Sequence, residues 1–347
     1  MRRAPFLLLL TGCLGGPAPE GWAPAHPTSG PTVVWDPLAE PLPEIPLPND
    51  AATRLDPSTA TGRRVNVSLD AARTSFEREV RAAFDAMDGF STYLPITARF
   101  DAPLDVVDLR ARHTGPDLRD DAVFLLNVDP GCARYGEEIA LEMGGGQLPV
   151  SLYDHGHLVP DPLAPGGVRW DDDGNTMFPL DAHGPDNQRL FPETNEDLDG
   201  DGALDPGEDL DGDGALDVAN LDDPRACDGL ARDTLAFDQC VTDHLLTFYE
   251  RETDTLILRP LWPMEQRCVY AVVLTTRLRG EDGQAVQSPF PAVNAREQTA
   301  DLRHATDLLS RYDLTLDDVA FAWTFTTGSM TADPCGRWSS AACTPSC

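Results

Sequence analysis

The sequence predicts a mainly β protein with peripheral helices, and three observations carry that reading. Glycine (28) and proline (31) make up about one residue in six of the 347, which favours short elements and tight turns over long helices. Several short runs alternate apolar and polar residues, the period of a strand with one buried face. Only a few stretches carry the 3.6-residue period of a helix, and each is short.

Taken in order, Met1 to Cys13 reads as a lipoprotein signal peptide: Arg2 and Arg3, then an apolar run Phe6 to Leu10, then Leu10-Thr11-Gly12-Cys13. Residues 14–43, rich in Pro and Gly, are expected to form an extended, poorly packed tether. The body is expected over 44–333, with an insertion at 150–226 and a Cys-rich tail at 334–347. Ser68 is a candidate cap for a helix in which Phe76, Val80, Ala83, Phe84 and Met87 recur at helical spacing. That stripe is expected to face the core, and Gly89 to end the helix. Strands are expected over 96–100, 121–128 and 137–143, the last closed by Gly144-Gly145-Gly146. After the insertion, Val241, Leu245, Phe248 and Tyr249 suggest a short amphipathic helix, and Thr255 to Arg259 a strand. Tyr270, Val272 and Leu274 alternate ahead of an Asp282-Gly283 turn. Leu302, Ala305, Leu308, Leu309 and Tyr312 mark a last helix. In the final run, Val319, Phe321, Trp323 and Phe325 are expected to share one face and pack against the Tyr270 to Leu274 strand.

The insertion contains a twelve-residue unit written twice, EDLDGDGALDPG and EDLDGDGALDVA. The first copy fits the loop pattern D-x-[DN]-x-[DN]-G-x5-E. Asp197, Asp199 and Asp201 take positions 1, 3 and 5, Gly202 the turn, the Ala203 carbonyl position 7, Asp205 position 9 and Glu208 position 12. Ca²⁺ is a hard cation that takes six to eight oxygens, and alternating carboxylates on a tight loop supply them. The second copy places Asp209, Asp211, Asp213, Ala215 and Asp217 in the same roles, with Asn220 at position 12. An amide offers one oxygen and no charge, so this loop is expected to bind more weakly. Glu208 ends one loop and Asp209 begins the next, leaving no room for the exiting helix of an EF-hand. The stretch resembles the helix-free tandem loops of thrombospondin type-3 repeats.

The Leu10 to Cys13 tetrad resembles the lipobox of bacterial lipoproteins. That resemblance implies a lipid on Cys13, anchorage to a membrane and, with Leu14 rather than Asp after the Cys, an outer-membrane or cell-surface location. Four further anchors are Phe100-Asp101-Ala102-Pro103-Leu104-Asp105, Pro260 to Leu274, Glu281-Asp282-Gly283 and Trp323-Thr324-Phe325-Thr326-Thr327-Gly328. In this order they resemble the Ig-like domain of bacterial surface-layer proteins. Ile45 to Asp50 and Met87 to Ile96 add a resemblance to the N-terminal domain of bacterial virulence-factor lipases. Both imply an Ig-like β-sandwich. In the lipases an α/β-hydrolase domain follows; no G-x-S-x-G occurs in this sequence, so the resemblance carries fold and not activity.

The formal net charge of −32 excludes an electrostatic footprint for nucleic acid. The eight cysteines include no C-x-x-C, so in an exported chain disulfides are expected, with Cys227 and Cys240 among the nearest pairs. The leading expectation is a non-catalytic, calcium-binding, lipid-anchored module, with an extracellular protein or polysaccharide as its partner. The alternatives are an adhesin and the N-terminal part of a lipase or esterase. Phe90, Tyr93, Trp35 and Trp262 are the aromatic residues on offer to a sugar; Ser329 is the nearest nucleophile candidate, without the strained turn that activates one.

Overall fold

In the computed structural model the described residues are 21–330, except 40–42, 71, 73, 115–116, 144–151, 154–156, 161–167, 172–174, 177–194, 210–213, 215, 232–233 and 252. The chain first forms β1 (Thr53–Leu55), β2 (Arg63–Val65), α1 (Ser75–Asp85), β3 (Ile96–Arg99), α2 (Val106–His113), β4 (Val123–Asn127) and β5 (Leu141–Glu142). Within the insertion lie β6 (Leu152–Tyr153), β7 (His157–Pro160), β8 (Val168–Asp171) and β9 (Asn175–Thr176), paired β6 with β9 and β7 with β8. Then come α3 (Leu235–His244), β10 (Tyr249–Glu250), β11 (Thr255–Pro260), β12 (Val269–Thr275), α4 (Thr299–Leu302), α5 (Thr306–Leu309) and β13 (Val319–Thr326). The protein is mainly β. No helix among the described residues is long and apolar enough to cross a membrane.

The expected pairing of the last strand with the Tyr270 run is present: β12 lies antiparallel between β4 and β13, with Val272 opposite Trp323 and Leu125. Every residue of β13 and β4 is buried. One face, carrying Leu125, Tyr270, Val272, Phe321, Trp323 and Phe325, shares a hydrophobic cluster with Ile96 and Ala98 of β3 and Leu256 and Leu258 of β11. Those last two strands pair in a second sheet, with β10 and β5 also on β11. The opposite face, with Phe124, Leu126, Ala271, Val273 and Ala322, packs against Leu302, Ala305, Leu308 and Leu309. The helix expected there is a broken one, α4 and α5 separated by a 3-10 turn at Arg303–Ala305.

Several expectations need correction. Val319 does not share the face of Phe321: the register slips between Leu274 and Thr275, leaving Ala320 as an extra residue and turning Val319 toward the helical side. The stripe on α1 is not core. Phe76, Val80 and Phe84 are 64%, 37% and 47% exposed. The buried residue of α1 is Arg81, whose Nε donates to Glu77 Oε1 (2.6 Å) and Nη1 to the Ser68 carbonyl (3.2 Å). Polar bonds therefore choose which side of α1 meets the body, although the apolar period is helical. Its cap is Thr74, whose side chain accepts from Glu77 N, and not Ser68. The helix expected near 241–249 ends at His244, and Tyr249 belongs to β10. The tether expected over 14–43 is, from Gly21 onward, laid on the body: Trp22 and Val33 are buried, and Thr32 and Val33 bridge to Gln287 and Phe100. Cys13, the glycine triplet and the 334–347 tail lie outside the described residues.

Two predictions follow from the packing. Trp323 is fully buried and its Nε1 donates to the Pro48 carbonyl (2.9 Å). Trp323→Ala is expected to cost about 3–5 kcal/mol in denaturant unfolding, and a loss below about 1 kcal/mol would contradict the packing. Glu138 is raised to about 8, first by burial and then by the charge of Asp121. The folded state therefore holds a proton that the unfolded chain releases near the ordinary carboxylate value. This contribution is full below that value and is lost as pH rises through about 8, on the order of a few kcal/mol. Thermal unfolding from pH 5 to 9 should show the decline, and Glu138→Gln, which stays neutral, should flatten it.

Candidate metal centre

The acidic stretch stands on a small base of its own. Ala219, Leu221, Cys227, Phe237 and Val241 form a separate hydrophobic cluster. The Cys227–Cys240 disulfide closes it, tying the loop after the stretch to α3. A second disulfide, Cys132–Cys268, joins residues 136 apart in sequence, a pairing that proximity along the chain does not suggest. From the base, Arg251 Nε donates to the Leu221 carbonyl (2.9 Å), and Asp222 Oδ1 meets His244 Nδ1 at 2.8 Å.

The first loop, 197–208, is described throughout. Gly200 and Gly202 adopt φ of +84° and +75°, the left-handed conformation that an L side chain resists and a sharp acidic turn requires. The Asp197 carboxylate accepts from Gly200 N (2.6 Å), Asp201 N (3.1 Å) and Gly202 N (3.2 Å), so its own loop wraps around it. Asp201 Oδ1 accepts from Ala203 N at 2.9 Å. Glu208 is 6% exposed and closes the loop: Oε1 accepts from Leu198 N (2.9 Å) and Asp199 N (3.3 Å), and Oε2 from Asp205 N (2.9 Å).

These bonds gather the carboxylates expected from the sequence. One oxygen each from Asp197, Asp199 and Glu208 lie within 4.8 Å of one another, and so do oxygens of Asp199, Asp201 and Asp205. Asp199 belongs to both sets, so five carboxylates surround one region. The charge of Asp201, with smaller contributions from burial, Glu208 and Asp199, holds the Asp205 carboxyl above its ordinary range. A divalent cation at this point would offset that repulsion.

The second loop is described in part. Asp209 and Asp217 are half-buried, while Asp211, Asp213 and Ala215 lie outside the described residues. Asn220, expected at position 12, also makes hydrogen bonds to the body. Its Nδ2 donates to the Leu246 and Tyr249 carbonyls (3.1 and 3.0 Å), and its Oδ1 accepts from Arg251 N (3.1 Å). It fastens the stretch to the body beside β10.

Sequence reasoning passed over the residues that flank the loop. Asn195 Nδ2 and Arg225 Nη2 both donate to the Asp197 carbonyl at 3.1 Å. Glu196 N donates to the Asp217 carbonyl (2.8 Å), joining the two ends of the repeat. The double writing of the unit, which begins at Glu196 and again at Glu208, was the available signal.

Of the remaining candidates, Trp35 lines a cleft of about 550 Å³ with Phe290, Pro24 and Pro291. Ser329 N donates to Asp88 Oδ1 (2.8 Å), and its buried Oγ has no hydrogen-bond partner among the described residues. Searches against protein-family models, curated proteins and solved structures return no match to this chain.

The base makes its own prediction. Replacing both Cys227 and Cys240 with Ser should weaken the cluster by about 3 kcal/mol, the loop-closure value for so short a ring. Amide exchange in α3 should accelerate while β12 stays protected; equal protection in both proteins would place the stability of the base elsewhere.

Proposed function

We propose that this protein is a non-catalytic, calcium-binding surface module, held to a bacterial outer membrane by a lipid on Cys13, with its body an Ig-like β-sandwich. The observation that carries the calcium reading is the gathering of Asp197, Asp199, Asp201, Asp205 and Glu208 by loop backbone bonds in the register that the Ca²⁺ pattern demands. Two sheets sharing one hydrophobic cluster, with the motif residues Phe100, Tyr270 and Trp323 inside it, support the sandwich reading. The lipid anchor rests on the Leu10 to Cys13 tetrad and its basic, apolar leader. In this reading the metal orders the acidic loops that face the medium, and the ordered loops present a surface to an extracellular partner.

Affinity is expected near 10⁻⁴–10⁻³ M, the range of extracellular modules. Binding to the folded form alone adds about 2.7 kcal/mol at a hundredfold excess over Kd. Calorimetric titration with CaCl₂, and proteolysis of the 190–225 segment in Ca²⁺ and in EGTA, test this. Protection by Ca²⁺ is expected, and Asp201→Ala should abolish it. Equal cleavage in both conditions with no heat of binding would reduce the stretch to an acidic linker. Cys13→Ser should release the protein from membranes washed in high salt; a variant that still pellets would refute the anchor.

A further inference from the structure

The cleft of about 550 Å³ beside Trp35 opens where the N-terminal segment is laid on the chain around Val293. Backbone bonds fix its two walls to each other. Trp22 N donates to Asn294 Oδ1 (2.7 Å) across 272 residues, Val293 N to the Ala23 carbonyl (3.0 Å) and Ala25 N to the Pro291 carbonyl (3.0 Å). The cleft is therefore formed before any ligand arrives, and its volume is that of a small-molecule site.

Its lining combines flat apolar surface with free polar groups. Trp35 meets Phe290 edge to face, with ring centroids 5.1 Å apart at 72°, and the fully buried Phe321 backs it at 6.2 Å. Both lining rings are half-buried and held in place by these contacts. Pro24 and Pro291 add exposed apolar rings and no N–H. Arg296 and Glu297 complete the lining. Both are exposed, and neither side chain has a hydrogen bond or ion pair among the described residues. Trp35 Nε1 has no acceptor among them either.

These groups define what the cleft can hold. Arg296 and Trp35 Nε1 only donate, and the Glu297 carboxylate only accepts. A matching ligand carries apolar faces that lie on the rings, edged by groups that both donate and accept. A sugar ring has this form: its C–H faces are apolar, and each hydroxyl takes either role. The charges of Arg296 and Glu297 cancel, and the chain as a whole stands at −32, so a neutral glycan is favoured over a polyanionic one. A peptide fits less well. Each of its residues brings a backbone donor and acceptor that need partners. The wall backbone is already committed to joining 23–25 with 291–293, and Pro24 and Pro291 have no N–H to offer.

We propose that this cleft binds a neutral oligosaccharide, with a sugar ring against Trp35 and Phe290 and its hydroxyls bonded to Arg296, Glu297 and Trp35 Nε1. The lining includes no described residue of the acidic stretch, so sugar binding stands apart from the calcium reading and is expected with or without Ca²⁺.

The test titrates the full chain with maltohexaose, cellohexaose, mannohexaose and N-acetylchitohexaose in turn, in Ca²⁺ and in EGTA, and follows the indole N–H resonances. The Trp35 resonance is the one missing from Trp35→Phe. At least one of these sugars is expected to shift it, with the same affinity in both media. Arg296→Ala and Glu297→Ala should each weaken binding about tenfold or more, the loss of a hydrogen bond to a charged group. Both positions are exposed, and unchanged melting would show that the fold persists. No binding by any of these sugars would overturn the proposal. So would binding that leaves the Trp35 resonance in place, that survives both substitutions at full affinity, or that requires Ca²⁺. A shift caused by a polyproline peptide and by none of the sugars would overturn it too and make the cleft a peptide groove. None of these outcomes touches the calcium reading.

Discussion

The outer edge of β13 sets the terms for the rest of the molecule. This strand is buried on both faces and pairs with β12 on one side only, so its outward backbone groups need partners that no further strand supplies. Four separate segments provide them. Ala322 N donates to the Val293 carbonyl (2.7 Å), and the Thr324 carbonyl accepts from Gln298 Nε2 (3.0 Å). Thr326 N and Oγ1 donate to the Asp50 carboxylate at 2.9 and 2.8 Å, and the Thr326 carbonyl accepts from Phe90 N. Asp50 is itself 6% exposed, with Arg63 Nε at 3.4 Å, and burial raises its pKa to about 6. The Ile45 to Asp50 segment is thus an edge clasp: Pro48 receives the Trp323 indole, Asn49 receives Gln298, and Asp50 holds the strand end. Each backbone group left unpaired at this depth would cost about 1–3 kcal/mol.

The acidic stretch works under a different constraint. It has few apolar residues, so it cannot build a core, and its carboxylates repel one another. The fold handles this by separating base from loop. A small cluster and one disulfide provide the base, and Asn220 together with Arg251, which donates to the Leu221 and Asp222 carbonyls, ties it to the body with hydrogen bonds. The loop itself is organised by backbone N–H groups that turn inward onto Asp197 and Glu208, which partly neutralises the charge the sequence concentrates there. What remains unbalanced is charge of one sign on exposed aspartates, the condition that a divalent cation relieves.

Local patterns were legible wherever cause and effect lie within one turn or one strand. The spacing of Asp197, Asp199, Asp201, Asp205 and Glu208 and the turn glycines predict the first loop, because its carboxylates are held by bonds spanning no more than ten residues. Alternation predicts β12 and β13 and their pairing. Helix α2 went unread, although Asp105 caps it through Asp108 N, because Val106, Val107 and Leu109 give no clear period.

By itself, then, the sequence determined the strand content, the acidic loop and the motif residues, since these follow from neighbours along the chain. Only the tertiary structure decided which motif meets which. Asp50 and Thr326 are 276 residues apart, and nothing in either segment names the other. The outward turn of Phe76, the second face of β13 at Val319 and the 136-residue span of Cys132–Cys268 depend likewise on what packs alongside. The same holds for the two ends of the repeat: Asp217 N meets the Glu196 carboxylate, and Asn220 Nδ2 meets the Leu246 and Tyr249 carbonyls, contacts that no spacing along the chain names.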